Sequence, residues 1–288
     1  MQDTIRSTVT EQPQLKVQHL NKRYGKGCSR CTDPTFLAEE GQRCPHCGSV
    51  WACIDVNFDL YQGEILGIVG ESGSGKSTLV KCLYFDDQIT SGSAHIAAYK
   101  NGELDIFSES AQQKRYIRNH LLGMIYQNPW LGLKMSFSSG GNIAEKLIAS
   151  GSYHVGSIRA RATELLEHVE IPISRINEQP KNFSGGMQQR VQISKALANN
   201  PPILLLDEVT TGLDLSVQAR VLDLIRNIQR QFNVGMILVS HDLGVIRMLA
   251  DRTMVMKGGR VIEQGLTDQI LEDPQHAYTQ KLVHSLLS

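Results

Sequence analysis

The chain has 288 residues, 41% of them apolar and 20% charged, a composition that supports a sizeable core and lies far from the low-hydrophobicity, high-charge pattern of disorder. Twenty-nine Lys and Arg balance 29 Asp and Glu, which removes the broad positive field of a dedicated nucleic-acid binder and argues against DNA or RNA as partner. No stretch approaches the ~20 apolar residues of a membrane span and the first 14 carry no signal-peptide core, so the expectation is a cytoplasmic protein without direct membrane insertion.

Residues 1–14 are polar and read as a flexible N-terminal arm. Leu15, Val17 and Leu20 open a strand pattern that ends near Tyr24, and Ile54, Val56, Phe58 and Leu60 alternate with Asp55, Asn57 and Asp59 as a second half-buried strand. Residues 25–53 between them hold Cys28, Cys31, Cys44 and Cys47 as C-x2-C-x12-C-x2-C, with Pro45 and Gly48 helping the backbone turn around the second pair. Four thiolates at knuckle spacing point to a tetrahedral Zn²⁺ site, with an iron-sulfur centre or free thiols as the alternatives. Cys53 is a further candidate and Cys82 reads as a small buried hydrophobe; neither is counted as a ligand. Lys26, Arg30 and Arg43 are matched by Asp33, Glu39 and Glu40, so the insert lacks the basic face that DNA reading needs. A structural or protein-docking module is expected, ordered by its metal and leaving nucleotide binding largely independent of it.

Residues 65–69 form an apolar run typical of a strand covered on both faces. It leads into Gly70, Glu71, Ser72, Gly73, Ser74, Gly75, Lys76 and Ser77, followed by Thr78, a G-x-x-x-x-G-K-S loop opening a helix. Backbone N–H groups of such a loop point at phosphate oxygens, Lys76 supplies a point charge, and the Ser77 hydroxyl reaches Mg²⁺. Its glycines are expected to keep Cβ atoms out of the phosphate path. ATP or GTP binding follows. The stretch from about 91 to 180 reads as an inserted, mostly helical subdomain, with helical patterns at 143–148 and 158–169. A second apolar run, 203–206, closes in Asp207 and Glu208; Asp207 is suited to hold Mg²⁺ through water and Glu208 to act as general base on the attacking water. Val217, Val221, Leu224, Ile225 and Ile228 share one helical face and read as core. A third run, 236–239, ends in Ser240 and His241. Polar groups at the carboxyl ends of buried strands are the pattern of an α/β sheet.

The segment Phe183-Ser184-Gly185-Gly186-Met187-Gln188-Gln189-Arg190 resembles the signature motif of the ATP-binding-cassette (ABC) ATPases. Gln127, Asp207-Glu208, Leu213-Asp214 and His241 follow in family order, and the resemblance spans residues 15–275. It implies a P-loop nucleotide-binding domain with an antiparallel β subdomain, a helical subdomain and, here, a small zinc-knuckle insert, closed by a C-terminal helix over 276–288. It further implies a head-to-tail homodimer on ATP binding, in which Ser184, Gly185, Gly186, Gln188 and Asp214 face the partner's nucleotide. Tyr24 would stack on adenine, Gln127 would contact Mg²⁺ and the γ-phosphate, and His241 the γ-phosphate. Val209 stands where proline usually follows the glutamate and Met187 replaces a commoner glutamine; neither change removes a catalytic group.

Segments 140–147, 169–172, 175–176, 211–220 and 265–268 look like the ABC proteins of the carbon-phosphorus lyase system. That resemblance implies docking on a soluble core complex that breaks the C–P bond of phosphonates, with a second ABC protein of the same system as a further partner. Residues 274–280 resemble instead the ATPases of peptide importers, and a DNA-repair ABC ATPase is a third alternative. Trp130, Leu131 and Leu133, just after Gln127, form a candidate partner patch; the competing reading packs Trp130 inside the helical subdomain.

Overall fold

The computed structural model describes residues 12–31 and 41–284. Most of the expected N-terminal arm, the acidic residues Asp33, Glu39 and Glu40, and the last four residues of the expected C-terminal helix lie outside the described residues.

Strand Leu15–Tyr24 (β1) is followed by Val50–Leu60 (β2), with which it pairs antiparallel so that Leu15 faces Leu60, Val17 faces Phe58 and Tyr24 faces Val50. Ser91–Ile96 (β4) adds to the other edge of β1, Leu15 opposite Ile96, giving a three-stranded antiparallel sheet. The larger sheet is built from Ile65–Val69 (β3), Leu122–Ile125 (β5), Ile203–Asp207 (β6), Gly235–Val239 (β7), Arg252–Lys257 (β8) and Arg260–Leu266 (β9), in the order β5-β6-β7-β3-β8-β9. All of its pairings are parallel except that of β9 with β8. Strands β3, β5, β6 and β7 are buried along their whole length, which is why they read as continuous apolar runs.

The helices are Lys76–Leu83 (α1), Ala111–His120 (α2), Pro129–Gly132 (α3), Ser139–Ala149 (α4), Val155–His168 (α5), Gly185–Ala196 (α6), Leu215–Phe232 (α7), Leu243–Leu249 (α8), Thr267–Glu272 (α9) and Ala277–His284 (α10). The mostly helical stretch expected from about 91 begins later. Residues 91–96 are β4 and 122–125 form the edge strand β5 of the large sheet, with α2 between them; after Ile125 no further strand occurs before β6. The reason is packing: Ala94 and Ile96 are buried against β1, and β5, Leu122-Gly123-Met124-Ile125, is too short to mark a period of its own. The insert also ends earlier than expected, because Val50 already starts β2.

One apolar core lies between the large sheet and helices α4 to α8, around Leu165, Val191, Leu204, Ile225 and Ile246. A second joins the two sheets through Leu20, Val56, Ile68, Leu79 and Ile237. Each fully buried Leu or Ile contributes ~1.5–3 kcal/mol of apolar burial, so α1 and the loop before it are held from both sheets. Among the described residues no helix is long and apolar enough to cross a membrane.

Candidate functional site

The loop 70–75 joins the carboxyl end of β3 to the first turn of α1. Gly70 and Gly75 have φ of 147° and 106°, left-handed values that favour glycine. A Cβ on Gly70 would run into the Met256 carbonyl and one on Gly75 into the Ala52 carbonyl, whereas a Cβ on Gly73 would meet nothing. These two glycines are therefore required by β8 and β2 pressing on the loop, a demand on them beside the expected one of phosphate access.

Lys76 is buried and its Nζ donates to the carbonyls of Gly70 and Glu71, both at 2.8 Å. Burial lowers its pKa while the carboxylates of Glu208, Asp207 and Glu71 pull it back up. The Ser77 hydroxyl donates to Asp207 Oδ1 at 2.7 Å, across the gap between α1 and the end of β6. Burial raises the Asp207 pKa against the hydrogen bond from Ser77. Ser77 and Asp207 thus offer adjacent hard oxygen atoms, the donor chemistry that suits Mg²⁺.

Glu208 has a φ of 47°, uncommon for a residue with a side chain and costly enough to mark a site that its surroundings enforce. Its N–H donates to the Val239 carbonyl at 3.0 Å, tying it to β7. Its Oε2 accepts from Gln127 Nε2 at 3.2 Å and Thr211 Oγ1 at 3.3 Å, and lies 3.2 Å from His241 Nδ1. Gln127 follows β5, Glu208 follows β6 and His241 follows β7, so three neighbouring parallel strands bring these groups to one point. Thr211 was not foreseen; its spacing of three from Glu208 was the available signal.

Tyr24, Ser72, Gly73, Gly75, Lys76, Ser77, Thr78, Gln127 and Glu208 line one cleft of about 430 Å³, joined by Gln42, Val50 and Ala52. The Tyr24 hydroxyl donates to Asp87 Oδ2 at 2.6 Å, and Lys22 Nζ lies 4.4 Å from the ring centroid. Burial and Asp87 push the Tyr24 pKa up to about 12, so the phenol stays neutral. Glu71 is not in the cleft lining; its N–H donates to the Tyr278 hydroxyl of α10 at 2.9 Å, a link that sequence reading did not find.

The signature residues sit elsewhere. Ser184 caps α6, its Oγ accepting from the Met187 N–H at 3.4 Å, and Gly186 is buried where a Cβ would strike Val217 of α7. Gln188 Nε2 donates to the carbonyls of Pro180 and Phe183 at 3.0 and 3.1 Å, which makes it a brace for the loop before Ser184 rather than a free donor. Ser184, Gly185 and Asp214 are exposed. None of these residues lines the cleft of the P-loop.

The four cysteines of the insert converge. The sulfurs of Cys28, Cys31, Cys44 and Cys47 lie within 4.8 Å of one another, with 3.7 Å for Cys28 to Cys31, 3.8 Å for Cys28 to Cys44 and 3.4 Å for Cys31 to Cys47. A tetrahedron with metal–sulfur bonds of ~2.3 Å separates its sulfurs by ~3.8 Å, so the arrangement could hold a metal ion. The Cys28 amide lowers the Cys31 pKa, but burial and the neighbouring thiols outweigh it and raise the group to about 11. The Ser49 hydroxyl and amide draw the exposed Cys47 thiol down to about 6. Cys53 is buried in the core between the sheets, Cys82 is buried in α1, and neither takes part in the cluster.

Residues 53–211 match the ABC transporter family, and the chain belongs to it. Its fold is the ABC ATPase fold, with the antiparallel β subdomain set against the P-loop sheet. The chain is 52% identical over 233 residues to the phosphonates utilization ATP-binding protein PhnK of Escherichia coli K12, covering 81% of this chain and 90% of that protein. It is 40% identical over 246 residues to the oligopeptide transport ATP-binding protein OppD of Bacillus subtilis 168, covering 83% of this chain and 67% of that protein. Among solved structures, the dimeric post-hydrolysis state of the ATP-binding cassette MJ0796 bound to ADP and Pi superposes with a TM-score of 0.72 at 29% identity, over 88% of this chain and 98% of that one.

Proposed function

We propose that this ABC ATP-binding subunit hydrolyses Mg-ATP in a head-to-tail homodimer and serves phosphonate breakdown by docking on the soluble carbon-phosphorus lyase core in the cytoplasm. The observation that carries hydrolysis is the convergence of Gln127, Thr211 and His241 on one oxygen of Glu208. Three groups hold that carboxylate in place, and its other oxygen is left to take the proton of an attacking water. Lys76 and the loop N–H groups would bind the phosphates, with Tyr24 against the adenine. Ser77, Asp207 and Gln127 would hold the Mg²⁺, which when bound neutralises phosphate charge. The exposed Ser184, Gly185 and Asp214, outside their own chain's cleft, suit a second copy's nucleotide, and MJ0796 is similar to this chain in a dimeric form with ADP and Pi. The four cysteines would hold a structural Zn²⁺.

The phosphonate assignment rests on the likeness to PhnK, whereas the likeness to OppD supports peptide import as the second reading. Affinity purification of tagged Glu208→Gln protein with Mg-ATP from phosphonate-grown cells separates them: the lyase core, together with any second ABC protein of that system, is expected. An integral membrane permease in its place would promote the importer.

Trp130 and Leu131 on α3 are 63% and 66% exposed, while Leu133 is buried. The interior packing considered for Trp130 is not what the fold uses, and the two exposed side chains sit directly beyond Gln127. An exposed tryptophan that anchors an interface is worth about 2 kcal/mol or more. Trp130→Ala is expected to weaken lyase-core binding about 30-fold while leaving nucleotide affinity unchanged, as measured by titration of the two purified components. Lys76→Ala is expected to weaken Mg-ATP binding itself by about 10- to 100-fold in calorimetry, because it removes a charge-assisted phosphate contact.

A further inference from the structure

The cysteine knuckle is not a separate appendage. Its second half folds back on the start of β2: the Trp51 N–H donates to the Gln42 carbonyl at 2.8 Å, Arg43 bridges Val50, and the Cys44 N–H donates to the Ser49 carbonyl at 2.8 Å. Its first half is tied to the same strand ends, with the Gly27 N–H donating to Ser49 Oγ at 3.0 Å. The Arg23 guanidinium lies 5.2 Å from the Trp51 ring, and the buried Cys31 and Cys44 pack against Trp51 and Ile54. Val50 is the register partner of Tyr24, so the ribbon that carries Gln42 is fixed beside the aromatic ring at the mouth of the cleft.

Gln42, Val50 and Tyr24 line the same cavity. The Gln42 Nε2 is buried and makes no hydrogen bond among the described residues. An unmet buried donor costs about 1–3 kcal/mol, and most such groups in folded proteins have a partner. Because Gln42 lines the cleft while its Nε2 is closed off from solvent, a rotation of the carboxamide about its terminal bond brings that donor to a ligand in the cleft, which then supplies the missing acceptor. A carboxamide at the edge of a purine can donate to N7 and accept from the N6 amino group of adenine, whereas guanine offers two acceptors, N7 and O6, to the same pair.

We infer that Gln42 reads the nucleobase edge and that the cysteine knuckle is a wall of the nucleotide cleft, so that the metal cluster sets both affinity for ATP and preference for ATP over GTP. The inference rests on the P-loop cleft being the nucleotide site. It replaces the expectation that nucleotide binding is independent of the insert. The knuckle acts by holding Gln42 in place through the backbone pairing of 42–44 with 49–51; the cysteines do not touch the nucleotide.

The test is equilibrium binding of Mg-ATP and Mg-GTP to the full chain, with zinc content measured in every sample. Gln42→Ala is expected to keep its metal, lose about 3- to 10-fold in ATP affinity as one hydrogen-bonding group is removed, and lose less for GTP, so that the ATP preference shrinks. Cys44→Ser is expected to lose the metal and a similar factor for ATP, and adding Gln42→Ala to it should then cost less than about 2-fold more, because the two changes act on one unit. A metal-replete Gln42→Ala protein with the wild-type ATP-to-GTP ratio would overturn the inference, as would a metal-free Cys44→Ser protein with wild-type ATP affinity. Wild-type protein that binds neither nucleotide would instead defeat the reading of the cleft on which the inference stands.

Discussion

Glu208→Gln is expected to hydrolyse ATP about 10²- to 10⁴-fold more slowly than the wild-type chain, while binding Mg-ATP normally and accumulating as a long-lived dimer. The substitution keeps the shape of the side chain and leaves a carbonyl oxygen that still accepts from Gln127 and Thr211, so the constellation around the end of β6 persists. What it removes is the basicity that takes a proton from water. Lys76, Ser77 and Asp207 are untouched, and with them the phosphate and Mg²⁺ contacts. Phosphate release at saturating ATP, together with size-exclusion chromatography in Mg-ATP, checks both halves; ordinary turnover in the variant would remove Glu208 from the role of base.

The contiguous parts of this site were legible in the sequence because each motif carries its own chemistry within a few residues. The loop from Gly70 to Thr78 needs only its spacing to be read, and the buried strands before Asp207 and His241 announce themselves as apolar runs that stop at a polar residue. What sequence periodicity does not carry is pairing at a distance. Strand β4 reads Ser-Gly-Ser-Ala-His-Ile, a weak alternation that becomes a strand because β1, some 75 residues earlier, offers it an edge. The same holds for the brace from Tyr278 to the Glu71 amide, which spans 207 residues, and for Gly70 and Gly75, whose need for glycine comes from β8 and β2. Gln42 went unnoticed for a related reason: a lone glutamine between Gly41 and Arg43 has no pattern, and its place in the cleft depends on the ribbon closing onto Trp51.

Replacing Cys28 or Cys47 by serine is expected to remove one metal ion per chain and to unfold the knuckle while the two cores survive. Elemental analysis should find one zinc per wild-type chain and none in either variant. The described part of the insert contributes few apolar side chains, mainly Cys31 and Cys44 against Trp51 and Ile54, so it has little burial of its own to offset the entropy of an ordered loop. A structural Zn²⁺ bound by four thiolates supplies about 10 kcal/mol or more of local folding energy at neutral pH, far beyond what that contact set can replace. Amide exchange should therefore accelerate over residues 26–31 and 41–49 in the variants, and protection in β3, β6 and β7 should be unchanged, since those strands draw on the large sheet and its helices. Retained protection in the knuckle of a metal-free variant would show that Trp51 and the Arg23 stack suffice to hold it, and the cluster would then lose its structural role.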